Sequence, residues 1–123
     1  MLRTYLVPNS SFTKGLPKLG RGINFGNKLE SPKGQPWGPL LEAWNFTKAK
    51  EGGFDSVRIP IRWYEYAANI PPYTIEAEFL DRVDWAINQA LANHLAVVIN
   101  MHHYNPLFAE PQAEKAKFLA LWQ

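Results

Sequence analysis

Eight residues of this 123-residue chain have types and spacings that could do chemistry: Asn24, Asn27 and Glu30, then Arg58, then Asn100, His102, His103 and Tyr104. Arg58 stands between Val57 and Ile59. A guanidinium in a buried apolar strand is tolerated only when it is paired and hydrogen-bonded. It either forms a structural ion pair with a helix carboxylate or snorkels out, or it orients a carboxylate and keeps it ionised. His102 and His103 are adjacent imidazoles at the end of the run "LAVVINM". Within a strand they would point to opposite faces, but at a strand end the backbone turns and both could reach the same side. Asn27 and Glu30 follow a glycine, and they fit either turn chemistry with a solvated acid or a polar site. Arg62, followed by Trp63 in a loop, reads as a solvated charge. Trp37 lies between Pro36 and Gly38, outside regular structure, where a ring can either stack on a flat ligand or plug a rim.

The elements that must hold these residues are legible. Apolar strand-like runs occur around Gly22 to Phe25, around Ser56 to Ile59, and in "LAVVINM". Between them the pattern predicts a helix over Leu40 to Glu51, stopped by Gly52-Gly53. A second helix is expected over Glu76 to Asn93, where Phe79, Leu80, Val83, Ile87, Ala90 and Leu91 repeat at helical spacing. Glu76 and Glu78 suit the positive end of its dipole. A third helix is expected after Pro111. Strand and helix in alternation imply right-handed βαβ units and a parallel sheet. "LAVVIN" is apolar at consecutive positions, as a strand covered on both faces would be. No G-x-G-x-x-G phosphate fingerprint follows a strand, which disfavours a doubly wound nucleotide fold. Long loops, 26–39, 60–75 and 102–111, follow the strands, the arrangement by which a (β/α)8 barrel builds its site. The fold class is therefore α/β, a parallel βαβαβα segment. Such a barrel needs roughly 250 residues, so this chain holds about its first three units.

Composition narrows the partners. With 46% hydrophobic and 20% charged residues, the chain is globular in character. A net charge of +2 gives no reason to expect nucleic acid or a membrane. With no cysteine, thiolate chemistry and disulfides are excluded for this sequence. Only three histidines occur, and His94 lies at the opposite end of its strand from the pair, so a metal site would need carboxylates to complete it. No metal and no organic cofactor are expected. The start, "MLRTYLVPNSSF", has no apolar h-region of a signal peptide. Localisation is left open. Asn9 and Asn45 each begin a glycosylation sequon.

Taken in order, "GRGINFGNKLESP", "GGFDSVRIPIRW" and "LAVVINMHHY" resemble the first three strand motifs of glycoside hydrolase family 5, most closely bacterial endo-β-1,4-glucanases. "PPYTIEAEFLDRVDWAIN" and "KAKFLALW" resemble the same group, and the resemblance runs from about Leu19 onward. It implies a (β/α)8 barrel and a retaining mechanism in which two glutamates stand about 5–5.5 Å apart. It implies that Arg58 hydrogen-bonds the nucleophile and that His102 lines the subsite of the cleaved sugar. His103, Asn27, Glu30 and Tyr104 would meet sugar hydroxyls, and Trp37 would be a sugar platform. The family's acid glutamate sits in an "NEP" motif after strand four, and its nucleophile follows strand seven. No "NEP" occurs in this sequence, and neither glutamate has a counterpart. Around Ala49, Lys48 and Lys50 replace the more apolar inner face of the family's first helix.

The expectation is thus one unit, a leader over 1–18 and βα units over 19–123, forming the N-terminal part of a glycoside hydrolase domain. Its partner would be β-glucan, and for the parent enzyme an extracellular setting is expected. The other readings are an inactive carbohydrate-binding half-barrel, or a fragment that associates through its open sheet edges and recruits Glu30, Glu65 or Glu110 as acids.

Overall fold

The structure is a computed structural model that describes residues 17–123. The expected leader, the opening stretch without an h-region and the Asn9 sequon lie mostly or wholly outside the described residues. Three parallel strands form one sheet in the order β1-β2-β3: β1 Gly22–Asn24, β2 Ser56–Ile61 and β3 Ala96–Met101. The register places Asn24 beside Arg58 and Arg58 beside Val98. The ladder extends past β3, where the His102 amide donates to the Ile61 carbonyl at 2.8 Å. Helices α1 Ala43–Glu51 and α2 Ala77–Ala92 join the strands, and α4 Pro111–Leu121 follows β3.

Alternation along a strand separates two faces. Val57, Ile59 and Ile61 pack under the helices and are almost fully buried. They meet Phe46 of α1 and Val83, Ala86, Ile87 and Ala90 of α2. Phe46 sits edge-on between Phe25 at 5.1 Å and Trp85 at 6.0 Å. Asn24, Arg58, Val98, Asn100 and His102 have the other parity and share the opposite face.

Four expectations are corrected here. Helix α1 begins at Ala43 rather than Leu40, because Glu42 and Asn45 cap it: the Glu42 amide donates to Asn45 Oδ1 at 2.8 Å. β3 is not covered on both faces; Val98 is 37% exposed, since it lies in register with Arg58 on the face that no helix covers. The segment after β3 is not wholly loop. Asn105–Ala109 forms the short helix α3, with Pro106 in the first turn, where its missing N–H is not needed. The loop after β2 likewise contains a 3-10 turn, Trp63–Tyr66.

Helix α1 tolerates its lysines because Phe46 and Ala49 alone face inward, while Lys48 pairs on the surface with Glu51 at 2.7 Å.

Candidate functional site

The C-terminal ends of the three strands bring most of the singled-out residues to one side of the sheet. β1 presents Asn24, whose Oδ1 accepts from Arg58 Nη1 at 2.8 Å. Arg58 is half-buried, not sealed in the core, because its side chain leaves β2 on the face that no helix covers. One donor position is used by Asn24; the guanidinium fork has five N–H donors in all.

His102 follows β3 on the same face and is half-buried. Burial holds its imidazole below the usual 6.5, with the neighbouring His103 and Arg58 charges acting the same way and Glu30 acting against them. Burial and the flanking cations thus favour the uncharged ring. His103 turns away from the strand in the left-handed region, at φ 53, and is exposed. The two imidazoles stand 4.3 Å apart at 70°. The expectation that a turning backbone puts both rings on one side rests on that turn.

Trp37 lies on the long loop after β1, 47% exposed, with its ring 5.5 Å from His103 and edge-on to it. The guanidinium of Arg62 lies 5.6 Å from the indole. Trp37 is thus held from below and at its rim while much of it stays open.

Arg62 overturns its reading as a solvated charge. It is 5% exposed, its Nε donates to the Glu30 carbonyl at 2.8 Å, and its Nη1 donates to Glu65 Oε1 at 3.2 Å. The buried arginine of this strand end is Arg62 rather than Arg58. A signal was present in the sequence: Glu65 stands three residues on, within reach in a tight turn.

Glu30 was expected to meet a ligand. It is 4% exposed, and both carboxylate oxygens are taken by main-chain N–H groups of its own turn, those of Asn27 and Lys28. Asn27 itself is exposed and adopts φ 60, which asparagine tolerates better than most residues. Turn chemistry therefore accounts for Glu30 and leaves the Asn27 amide open.

Tyr104 was also expected to meet a ligand, and the structure places it elsewhere. It is 3% exposed, stacks on Tyr64 at 4.8 Å, and its hydroxyl donates to Glu114 Oε2 at 2.6 Å. Burial and the Glu114 carboxylate push its phenol far above the ordinary tyrosine range. Through Glu114, Tyr104 ties α4 to the end of β3. Lys117, which the sequence reading missed, performs a related task. Its buried ammonium donates to the carbonyls of Tyr64 and Ala67 and to Asn69 Oδ1, fixing α4 to the loop after β2.

Glu65 accepts from the Lys33 amide at 2.7 Å and the Tyr64 hydroxyl at 3.0 Å, besides Arg62. Burial raises its pKa, but these donors outweigh burial and hold it below the ordinary value. A carboxyl held below its ordinary value is a poorer proton donor, so Glu65 is ill suited to general acid work; the Glu30 oxygens are both engaged by main-chain N–H groups. Among the described residues no cluster of three or more His, Asp or Glu is placed to hold a metal. What the face offers is a cation with further donors, an imidazole whose uncharged form is favoured, an open amide at Asn27 and a half-exposed indole. Groups of these types have the chemistry to meet hydroxyl-rich or anionic ligands.

Residues 21–123 match the profile of the family described as cellulase, glycosyl hydrolase family 5. Endoglucanase H of Acetivibrio thermocellus is 33% identical over 106 residues, 86% of this chain and 12% of that protein. Endoglucanase B of Clostridium cellulovorans is 35% identical over 107 residues, 82% of this chain and 24% of that protein. Among solved structures, Thermotoga maritima Cel5A in complex with cellobiose superposes with a TM-score of 0.82 at 53% identity, over 85% of this chain and 34% of that one. The chain therefore spans about a third of that solved relative and a smaller share of the two curated ones.

Proposed function

The chain belongs to the cellulase family of glycoside hydrolases, family 5, and on that premise we propose that it supplies the first three βα units of a retaining endo-β-1,4-glucanase barrel. In this reading residues 19–123 are the N-terminal part of the catalytic domain. The ligand is a β-1,4-glucan or its oligosaccharides. The observation that carries the reading is the row Asn24, Arg58 and His102 on the helix-free face at the C-terminal strand ends, with Trp37 and His103 at its rim.

Arg58 orients and keeps ionised the glutamate that attacks the anomeric carbon. That glutamate and the one that protonates the glycosidic oxygen come from later strands of the barrel. Asn24 holds Arg58 from the side and leaves its other donors for the carboxylate. A guanidinium beside a carboxylate favours the charged, nucleophilic form. His102, neutral, lines the subsite of the cleaved sugar. His103 and the Asn27 amide meet hydroxyls, and Trp37 stacks on a pyranose face, as flat rings with polar edges do. Glu30 and Arg62 act beneath them by fixing the loop that carries Trp37.

The test has two arms. The 123-residue chain alone should release no reducing ends from a soluble β-1,4-glucan. Supplied with a second polypeptide carrying the remaining strands of a family relative, it should hydrolyse the glucan, and Arg58→Ala should remove at least about a hundredfold of that rate. Full activity of the complemented Arg58→Ala variant would defeat the assignment. Release by the chain alone, lost in His102→Ala, would favour the other reading, in which copies associate through their open edges and recruit their own carboxylates. The open outer strands β1 and β3 are what favour that second reading.

A further inference from the structure

Asn100 stands two residues before His102 on β3. Its Nδ2 donates to the Met101 carbonyl at 3.0 Å and lies 3.3 Å from His102 Nδ1. Its Oδ1 is buried and has no hydrogen-bond partner among the described residues.

An asparagine amide has two orientations of nearly the same shape, and the hydrogen bonds around it decide between them. Turned over, the Asn100 amide would press its oxygen against the Met101 carbonyl oxygen. The Met101 carbonyl therefore fixes the nitrogen where it stands. One Nδ2 hydrogen serves that carbonyl, and the second faces His102 Nδ1. A neutral imidazole has one donor and one acceptor nitrogen. The nitrogen that faces an N–H must be the acceptor.

We propose that Asn100 is a positioning residue that holds His102 in its Nε2–H tautomer, so that Nε2 is the nitrogen that donates to a ligand. Protonating Nδ1 would set two N–H groups against each other, so the same contact also resists the imidazolium. The surroundings agree. Burial lowers the His102 pKa, and the charges of His103, Arg58 and Arg62 act with it, while Glu30 alone opposes.

The chemical consequence rests on the glucan reading. A neutral Nε2–H offers a sugar oxygen a fixed donor with no charge. Asn100 Oδ1 is buried and takes no part in that contact, so the role of Asn100 is exerted through the imidazole alone. An imidazole free to change tautomer would have to settle its proton on each binding event.

The experiment is long-range nitrogen-15 NMR of the uniformly labelled 123-residue chain near neutral pH, with His103 as internal comparison. The expected spectrum has His102 Nε2 protonated and Nδ1 bare. A dominant Nδ1–H form in the native chain overturns the proposal without any variant. Asn100→Asp places a carboxylate oxygen where the N–H was. It should reverse the tautomer to Nδ1–H and move the His102 midpoint upward. A folded Asn100→Asp chain that keeps Nε2–H also overturns the proposal. Titration of the native chain with cellotetraose then separates the two readings. A shift at His102 Nε2 supports sugar contact there. An unchanged Nε2 signal with the tautomer intact removes the sugar and leaves the role of Asn100 standing.

Discussion

Arg62 Nε donates to the main-chain carbonyl of Glu30 at 2.8 Å, joining loops 32 positions apart in the chain. The Arg62 amide also reaches back, to the Leu29 carbonyl at 3.1 Å. The guanidinium thus closes the turn at 27–30 from outside, while the Glu30 carboxylate closes it from within through the Asn27 and Lys28 amides. The loop after β1 carries Trp37, so its rigidity is set by a charge that never leaves the interior.

Arg62→Ala is expected to destabilise the fold by about 2–3 kcal/mol, because the Glu30 carbonyl loses a buried charged donor, Glu65 loses one of its three donors and the packing of the buried side chain is lost. Arg58→Ala, which removes one hydrogen bond from a half-buried group, is expected to cost about 1 kcal/mol. Urea midpoints of the two variants measure the difference. Equal losses would mean that Arg58 carries structural weight and that the division between a binding and a supporting arginine is wrong.

That division is also where the sequence was misleading. Strands, helix α2 and the gathering of polar residues at the strand ends follow from local patterns, since period and register are local properties, whereas the uncovered face of β3 does not. Which arginine is buried is not local. It depends on the loop 26–39 folding over the end of β2 and presenting the Glu30 carbonyl to Arg62. The partner of Tyr104 is not local either. Its neighbours His102 and His103 suggested a ligand, but its hydroxyl is claimed by Glu114, a helix away. Helix α3 was missed because five residues are too few for a period to show.

Two glycines with positive φ separate backbone strain from crowding. At Gly20, φ +51, an added Cβ would stand 2.1 Å from Asp55 Oδ2, which already accepts from the Arg21 amide at 2.9 Å. At Gly34, φ +74, the same atom would meet open space. Gly34→Ala is expected to lose about 1–2 kcal/mol from conformation alone. Gly20→Ala should exceed it by more than about 1 kcal/mol, as overpacking does. Thermal or urea unfolding of the pair measures this, and similar losses would show that Asp55 simply swings aside.

Alkaline pH should destabilise the chain through buried Tyr104 and half-buried Tyr64 and Tyr66. Burial raises the Tyr104 pKa first and Glu114 adds to it; Tyr64 and Tyr66 are raised the same way, chiefly by burial. As pH passes the ordinary value of 10.0, the unfolded chain releases these protons and the folded chain keeps them, so stability falls with pH. Lys117 opposes this. Burial lowers its pKa from 10.5, against the pull of Glu114, so its share of stability rises with pH below that value. Three phenols outnumber one amine, and the net slope above about pH 10 is downward. Tyr104→Phe should be less stable near pH 7 by about 1.5–3 kcal/mol, the worth of a hydrogen bond to a charged group, yet lose stability less steeply above pH 10. An unchanged alkaline slope in that variant would remove Tyr104 from the account.

Val98 is 37% exposed in the row that also holds Asn24 and Arg58, on a strand with one hydrogen-bonded neighbour among the described residues. An apolar residue on an outer strand favours pairing with another chain, since the ladder of that strand still has groups to satisfy. The chain as it stands is therefore expected to associate. Light scattering should give a mass above the 14.1 kDa of one chain, rising with concentration. Val98→Lys should lower it, because a lysine ammonium set beside Arg58 makes the shared face repel its copy while leaving the helix-covered core untouched. Loss of association in Val98→Lys with unchanged unfolding would place the contact on this face. A single 14.1 kDa species at every concentration, with cooperative unfolding, would mean that the row is closed by water alone and that the three units stand by themselves.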